Sequence, residues 1–175
     1  KRIRGEELPG VNVFRIIDKA GNIKWAEVNS VLISWEGRPA TLNFLNDITE
    51  RQRAEQALLD SEQRYRNLVE NAPDVILTLT PDGAISSLNP VFETITGWSR
   101  AEWLGKPFTT ILWPDDLSRS LEFFQSVFKG EKTAPFELRV LRKSGDYLTA
   151  EFTITPQTQE GSVIGVLGIA RDITE

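Results

Sequence analysis

The chain has 175 residues, a formal net charge of −5 and 26% charged residues. Composition of this kind is typical of a soluble globular protein, and the length suits one complete domain with additional segments. The excess of acidic residues argues against nucleic-acid binding, which depends on cationic side chains that neutralise phosphates. No apolar run approaches the roughly 18 residues that a membrane-spanning helix needs, so we expect no direct membrane insertion of this chain.

Two residue types are absent, which excludes several kinds of chemistry. The sequence contains no Cys and no His. It therefore offers no thiolate nucleophile, no Cys adduct to a flavin, no His ligand for haem and no phosphoacceptor His. We expect no such cofactor, no metal site and no catalytic activity of this chain's own. The lack of Cys also suits a reducing, cytoplasmic location, compatible with a membrane anchor elsewhere in a longer parent protein.

The first fifty residues predict three strands. Val11–Ile17, Ile23–Trp35 and Ala40–Leu45 are rich in aliphatic and aromatic residues. Short turns that contain Gly separate these runs, a pattern typical of an antiparallel meander. We therefore expect a small antiparallel sheet in this part of the chain.

A charged helix is predicted to follow these strands. Thr49 and Gln52 have the spacing of a capping box, and Pro73 ends the helix shortly after Asn71. Apolar residues recur along the helix at the spacing of a coiled-coil seam. A solvated connector helix and a homodimeric coiled coil both explain this pattern, and both stay open here. The seam residues are Ala54, Leu58, Tyr65 and Leu68.

The region after this helix predicts two strands and several short helices. Val75–Thr80 and Ala84–Leu88 flank a turn that contains Gly. Asn89, followed by Pro90, predicts a helix start with Asn as the cap. Asp115 and Asp116 are expected to stabilise the first turn of a longer helix rather than to bind a metal ion.

Three further strands are predicted at the end of the chain. The first two, within residues 136–141 and 148–154, alternate in polarity, and the third, 163–170, is mostly apolar, as a central strand would be. The whole region therefore predicts an α+β fold. Its core is a five-stranded antiparallel sheet with short helices on one face.

Part of the first fifty residues recurs at the end of the chain. Gly21-Asn-Ile-Lys-Trp-Ala-Glu27 is echoed by Gly145-Asp-Tyr-Leu-Thr-Ala-Glu151, and Asp47-Ile-Thr-Glu50 is echoed by Asp172-Ile-Thr-Glu175. Only the end of the unit occurs twice, because residues 61–131 have no counterpart. The pattern indicates a segment of a longer tandem array.

This repeat predicts a domain organisation. We expect residues 1–49 to be the C-terminal part of a first module and residues 62–175 to be a complete second module. Residues 50–70 would form the connector helix between them. The third strand of the first module would then have an unpaired edge, and its sheet would lack helices. An open edge and an apolar face favour self-association, most simply as a two-fold homodimer.

The order and spacing of several short motifs resemble those of the PAS domain with its C-terminal PAC motif. Residues 50–58 also resemble the helix that links PAS modules to one another or to kinase domains. In the first module the motifs are Lys19-Ala-Gly21, Trp25 and Asp47-Ile-Thr49. In the second they are Asn71-Ala-Pro-Asp74, Asp82-Gly83, Asn89-Pro90, Thr96-Gly-Trp98, Leu104-Gly-Lys-Pro107, Trp113-Pro-Asp-Asp116, Lys143-Ser-Gly145 and Asp172-Ile-Thr174.

The resemblance implies two functional regions. Asp47, Thr49, Asp172 and Thr174 would couple each sheet to the helix that follows it. The concave face of the second sheet would be apolar, because Val140, Ala150 and Ala170 match positions at which flavin-binding relatives have polar side chains. A packed core explains this face better than a ligand pocket does. The pocket residues are Leu77, Leu79, Leu138, Val140, Ala150, Phe152, Ile154, Val166 and Ala170.

The function implied by this resemblance is sensing and signal relay in a bacterial protein, most simply a sensor histidine kinase. A change in packing would pass through Asp172-Ile-Thr174 to a following helix. A ligand-free module that serves only dimerisation and spacing is one alternative. The sensor region of an enzyme that makes or degrades a cyclic dinucleotide is another. The expected partners are a second copy of the chain and adjacent PAS or kinase domains.

Overall fold

The computed structural model describes residues 11–131 and 133–174. The start of the predicted first module, Lys132 and the last residue of the second repeat, Glu175, lie outside the described residues. The chain divides into two compact units between Arg64 and Tyr65.

The first unit contains a three-stranded antiparallel sheet. Its strands are β1 (Val11–Ile17), β2 (Ile23–Trp35) and β3 (Arg38–Asp47), in the order β1-β2-β3. Gly37, with φ of 73°, lies in the tight turn between β2 and β3, where a residue without Cβ adopts positive φ at little cost. Helix α1 (Thr49–Glu70) begins two residues after β3 ends.

The predicted capping box at the start of α1 is wrong. The Thr49 hydroxyl accepts a hydrogen bond from Trp25 N at 2.9 Å and donates to Asp47 Oδ1. The Gln52 side chain reaches forward to Glu55 Oε2 instead of back to the helix start. The Thr49 hydroxyl therefore accepts a hydrogen bond from strand β2 instead of from an amide of α1.

The second unit contains a five-stranded antiparallel sheet in the order β5-β4-β8-β7-β6. Short helices connect its second and third strands, so the predicted α+β class is confirmed. The strands are β4 (Val75–Leu79), β5 (Ile85–Leu88), β6 (Phe136–Leu141), β7 (Tyr147–Gln159) and β8 (Ser162–Asp172). The helices are α2 (Val91–Thr96), α3 (Arg100–Trp103) and α4 (Leu117–Phe128), with 3-10 turns at Phe108–Ile111 and Pro114–Asp116.

Strand β8 lies at the centre of this sheet, between β4 and β7. Gly165 allows the close approach of β4, because a Cβ there would lie 2.5 Å from the carbonyl oxygen of Leu79. This glycine of β8 therefore serves the close packing of two strands.

Asn89 does not cap helix α2, contrary to the prediction. Its Oδ1 accepts from Ile76 N at 3.0 Å, and its Nδ2 donates to the carbonyls of Val69 and Asp74 at 3.1 and 3.0 Å. The residue is only 2% exposed. The backbone groups at the end of α1 and the start of β4 need buried partners, and the Asn89 amide supplies them.

Asp116 lies at the start of α4, as predicted, and its carboxylate binds a neighbouring strand. Its carboxylate accepts from Arg139 Nε and Nη2 at 3.0 and 2.7 Å and from Arg139 N at 2.9 Å. The Arg139 guanidinium lowers the pKa of Asp116, although partial burial opposes the shift. This bidentate pair joins the start of α4 to β6, while Asp115 accepts from the Trp113 indole.

The sequence repeat is also a repeat of strand register. Phe14 faces Ala26 across β1 and β2, as Leu138 faces Ala150 across β6 and β7. The correspondence between these pairs is 124 positions, because 138 − 14 and 150 − 26 both equal 124. Each residue of the first sheet therefore has a structural counterpart in the second.

Candidate functional site

An apolar cavity of about 90 Å³ lies between the sheet and the helices of the second unit. The sheet contributes residues of all five strands, and the opposite wall comes from α2, α4 and the segment between α3 and α4. All nine residues that the sequence analysis placed on the concave face line this cavity. They are Leu77, Leu79, Leu138, Val140, Ala150, Phe152, Ile154, Val166 and Ala170.

The helical wall of the cavity was not predicted from the sequence. Phe92 and Ile95 of α2, Phe108 of the 3-10 turn and Phe124 of α4 complete the enclosure. The apolar stripe of α4 was a usable signal, since Phe124 belongs to it. Strand alternation alone cannot show which helical side chains lie opposite the sheet.

The polar side chains of the lining are satisfied within their own helices. Thr96 Oγ1 donates to Phe92 O at 2.6 Å, and Ser120 Oγ donates to Leu117 O at 2.7 Å. Neither hydroxyl hydrogen is left for a ligand. A charged or strongly polar ligand would lose its hydration in this cavity without compensation, so the lining favours apolar molecules.

The size of the cavity is a second constraint. Sites for drug-sized ligands and cofactors occupy roughly 300–1,000 Å³, whereas an apolar cavity of about 150 Å³ in another protein holds benzene. At about 90 Å³ the present cavity is smaller than both. Aromatic rings pack closely at the side of the cavity formed by β6 and β7. The ring centroid of Phe136 lies 3.9 Å from that of Phe123 and 6.0 Å from that of Phe152.

The motif Asp47-Ile-Thr49 joins the last strand of the first unit to helix α1. Asp47 Oδ1 accepts from Thr49 N at 3.0 Å, and Asp47 Oδ2 accepts from Lys24 Nζ at 3.0 Å. The hydroxyl and amide of Thr49, together with Lys24, lower the pKa of Asp47 to about 2. The carboxylate is therefore ionised throughout the physiological range.

The motif Asp172-Ile-Thr174 has the same geometry in the second unit. Asp172 Oδ1 accepts from Thr174 N at 2.9 Å, and Thr174 Oγ1 accepts from Thr149 N at 3.0 Å. Burial alone would raise the pKa of Asp172, but the hydrogen bonds from Thr174 and the charge of Arg142 outweigh it and lower that pKa. The cation differs between the units: Lys24 comes from a strand, whereas Arg142 comes from the turn between β6 and β7.

A continuous series of contacts joins the cavity wall to this second motif. Thr96, which lines the cavity, accepts a hydrogen bond through its carbonyl from Lys143 N at 2.9 Å. The preceding residue, Arg142, donates from Nη2 to Asp172 Oδ2 at 3.4 Å and from Nη1 to Asp146 at 3.2 Å. The end of α2, the β6–β7 turn and Asp172 thus form one connected structure.

The predicted helix seam lies on the surface of α1. Leu58, Tyr65 and Leu68 are 61%, 67% and 68% exposed, and Ala54 is exposed as well. Among the described residues, no helix combines the length and the apolar character required to cross a membrane.

The comparisons with known proteins agree with this fold. The PAS fold family matches residues 63–173. The methanogenesis regulatory histidine kinase FilI of Methanothrix harundinacea is 32% identical over 123 residues, 69% of this chain and 14% of that protein. The probable diguanylate cyclase DgcE of Escherichia coli K12 is 26% identical over 166 residues, 93% of this chain and 15% of that protein.

A solved structure gives the same result. The crystal structure of the PAS domain of an HTR-like protein from Haloarcula marismortui is 30% identical and covers 70% of this chain and 99% of its own, with a TM-score of 0.58. The chain spans 14% to 15% of the length of the two relatives above. The family match covers more than half of the chain. The chain belongs to the PAS fold family.

Proposed function

We propose that this chain is a sensory and relay region of a bacterial signal-transduction protein, most simply a cytoplasmic region of a sensor histidine kinase. The observation that carries the proposal is the Asp-Ile-Thr geometry, which occurs at the end of both sheets. In the first unit the motif leads directly into α1, so it joins a sheet to an output helix. The chain itself acts as a regulatory module without catalysis.

The route of the signal in the second unit starts at the cavity wall. A change in the packing of Ile95 or Thr96 would move the end of α2, to which Lys143 N is bonded. Arg142 would carry that movement to Asp172, and Asp172 holds Thr174 against β7. Arg142 is therefore the positioning residue that couples the cavity to the motif.

A double-mutant cycle tests this relay. Ile95→Ala changes the packing of the cavity, and Arg142→Gln removes the cation on Asp172. Amide hydrogen exchange of Thr149, whose N–H is bonded to the Thr174 hydroxyl, reports the opening of the motif. We expect the two substitutions to be non-additive at this amide, with a coupling energy of about 0.5–2 kcal/mol.

The matched control replaces a different cation close to Asp172, Arg171, which lies on β8. Arg171 forms an ion pair with Asp74, at 3.1 Å, rather than with Asp172. Ile95→Ala and Arg171→Gln should therefore be additive at the Thr149 amide. Additivity of Ile95→Ala with Arg142→Gln would contradict the relay and favour a module that serves only dimerisation and spacing.

The type of output domain has a second candidate. The match to DgcE covers 93% of this chain, including the first repeat, and supports a tandem PAS region joined to a diguanylate cyclase as well as to a kinase. The sequence that follows Glu175 in the parent protein distinguishes the two outputs. A helix with a phosphoacceptor His would identify the kinase.

No cofactor belongs to the proposed function. The absence of His and Cys removes the ligands for haem and for a flavin adduct, and the apolar lining offers no orienting hydrogen bonds. We expect the purified chain to show no Soret band, no light-induced adduct and no bound mass in native mass spectrometry. Stoichiometric haem or flavin in either measurement would contradict this expectation.

The proposed function includes a homodimer that forms through α1. The exposed seam of α1 suits a parallel homodimer, in which a shift of one helix relative to its partner is a two-state output. Neighbouring PAS or kinase domains of the same parent chain are the other expected partners.

A further inference from the structure

The free edge of β3 and the edge of β8 that receives β4 occupy equivalent positions in the two sheets. Strand β8 pairs with β4 on one side and with β7 on the other, whereas β3 pairs with β2 alone among the described residues. Ile33 faces Ala40 as Gln157 faces Gly165, and 157 − 33 equals 124 while 165 − 40 equals 125. A position of β3 therefore corresponds to the position of β8 that lies 125 residues later.

Two residues of β8 make room for β4 because they lack a side chain. A Cβ on Gly165 would lie 2.5 Å from the carbonyl oxygen of Leu79, so the backbone of β4 would have to shift. A Cβ on Gly168 would lie 3.2 Å from Cγ of Leu77, the residue directly opposite it in β4. The side chain of Leu77 lines the cavity and has little space to move. Strand β4 therefore fits β8 in this register because both positions are glycine.

Strand β3 has larger residues at the same two positions. Ala40 corresponds to Gly165, and Asn43 corresponds to Gly168. In a strand placed like β4, a carbonyl oxygen would meet the Cβ of Ala40. The Asn43 amide would be directed at the position that Leu77 occupies in the second unit. Burial of that amide in an apolar layer, without a hydrogen-bond partner, would add a further free-energy cost.

A third position on the same face also differs in size. Leu45 corresponds to Ala170, which is 5% exposed and lies directly opposite Val75 of β4. Val75 is itself 3% exposed, so a leucine in place of Ala170 would overpack this contact. Each of the three differences places additional atoms where β4 would pack.

We infer that Gly165 and Gly168 are the residues by which β4 selects β8 over the equivalent edge of β3. Ala40, Asn43 and Leu45 exclude β4 from that edge. A tandem chain presents two similar sheet edges, and an open edge accepts extended strands with little selectivity of its own. Steric exclusion at one edge and space at the other direct β4 to the sheet of its own unit.

Disulfide trapping between two variant chains tests the inference, because the sequence contains no Cys of its own. The donor chain carries Gly165→Ala and Gly168→Asn, which give β8 the residues of β3 and should release β4. It also carries Thr78→Cys in β4. The acceptor chain carries Leu42→Cys in β3. Leu42 corresponds to Leu167, the strand partner of Thr78 in the second sheet, and directly paired residues lie close enough for a disulfide.

Two acceptor chains are compared, and they differ only at the edge of β3. One has no change there besides Leu42→Cys, and the other also carries Ala40→Gly, Asn43→Gly and Leu45→Ala. We expect the second acceptor to give about tenfold more crosslinked heterodimer with the same donor, because only its edge admits β4. Equal yields from the two acceptors, or no heterodimer from either, would overturn the inference.

Hydrogen exchange of single variants tests the selection at β8 without any second chain. Gly165→Ala and Gly168→Asn should each accelerate exchange of the β4 amides. Adding Leu77→Ala should restore protection in the Gly168→Asn chain, where the smaller side chain leaves room. It should not do so in the Gly165→Ala chain, where the clash is with a backbone oxygen. Unchanged exchange in both single variants, no rescue of Gly168→Asn, or equal rescue of both would contradict the selection.

Discussion

Phe136→Ala is expected to lower the free energy of unfolding by about 3–5 kcal/mol. Phe136 is 5% exposed, and its ring stacks on Phe123 and lies beside Phe152. Removal of the ring would extend the existing cavity, because Phe136 is one of its lining residues. Strand β7 holds the backbone of β6 in place, so the site cannot easily collapse to fill the space. Urea denaturation followed by circular dichroism measures the change.

Phe128→Ala is the matched control for this prediction. Phe128 contacts Phe124 at a centroid distance of 5.2 Å but is 36% exposed at the end of α4. Its truncation should cost about 1 kcal/mol or less, since water already reaches the ring. A loss below about 1 kcal/mol for Phe136→Ala as well would show that the register of β6 is displaced by one residue.

Asn89→Ala is expected to cost about 3 kcal/mol. The substitution leaves Ile76 N and the carbonyls of Val69 and Asp74 without their side-chain partner, and buried unpaired groups are costly. Because Val69 belongs to α1 and Ile76 to β4, the loss should loosen the junction between helix and sheet. Amide exchange at Ile76 should therefore accelerate more than the global stability change requires.

Asn89→Asp separates the donor role from the acceptor role. Its carboxylate can still accept from Ile76 N, but it faces two carbonyls without a proton to donate. The folded-state pKa of the introduced carboxyl would lie above its unfolded value of about 3.9, so its contribution is present at low pH and lost as pH rises through the folded pKa. The variant should therefore recover towards the wild type on acidification.

Asn71→Ala is the control for both Asn89 variants. Its Nδ2 donates to Asn67 O at 2.8 Å on the exposed surface of the helix end. Water replaces that bond readily, so the cost should stay within about 0.5 kcal/mol. A similar cost for Asn89→Ala would contradict the structural role of the buried amide.

Sequence alone determined those features that repeat over a few residues. Alternation in β6 and β7 placed Leu138, Val140 and Ala150 on one face, because successive side chains of a strand point to opposite sides. The repeat of Asp47-Ile-Thr49 in Asp172-Ile-Thr174 predicted two similar strand ends. Zero Cys and zero His excluded whole classes of site. Such inferences need no knowledge of which segments meet.

Tertiary structure decided the partners of the polar side chains. Thr49, Asn89 and Asp116 all stand at predicted helix starts, yet each binds a group from another strand or helix. A helix cap binds an amide within a few residues of itself. Thr49 and Asp116 instead bind backbone amides 24 and 23 residues away in the sequence. Asn89 binds backbone groups 13 to 20 residues away. Which group is buried beside them depends on how the elements pack.

Packing likewise decided the size of the cavity and the exposure of the apolar residues of β2. Alternation assigned the cavity residues of β7 to the concave face, but it did not show which helical side chains lie opposite them. In the first unit both faces of the sheet carry exposed apolar residues, Leu32 and Leu45 on one face and Val31 and Phe44 on the other. Surface exposure is a property of the assembled layers, so it cannot be read from the period of a single strand.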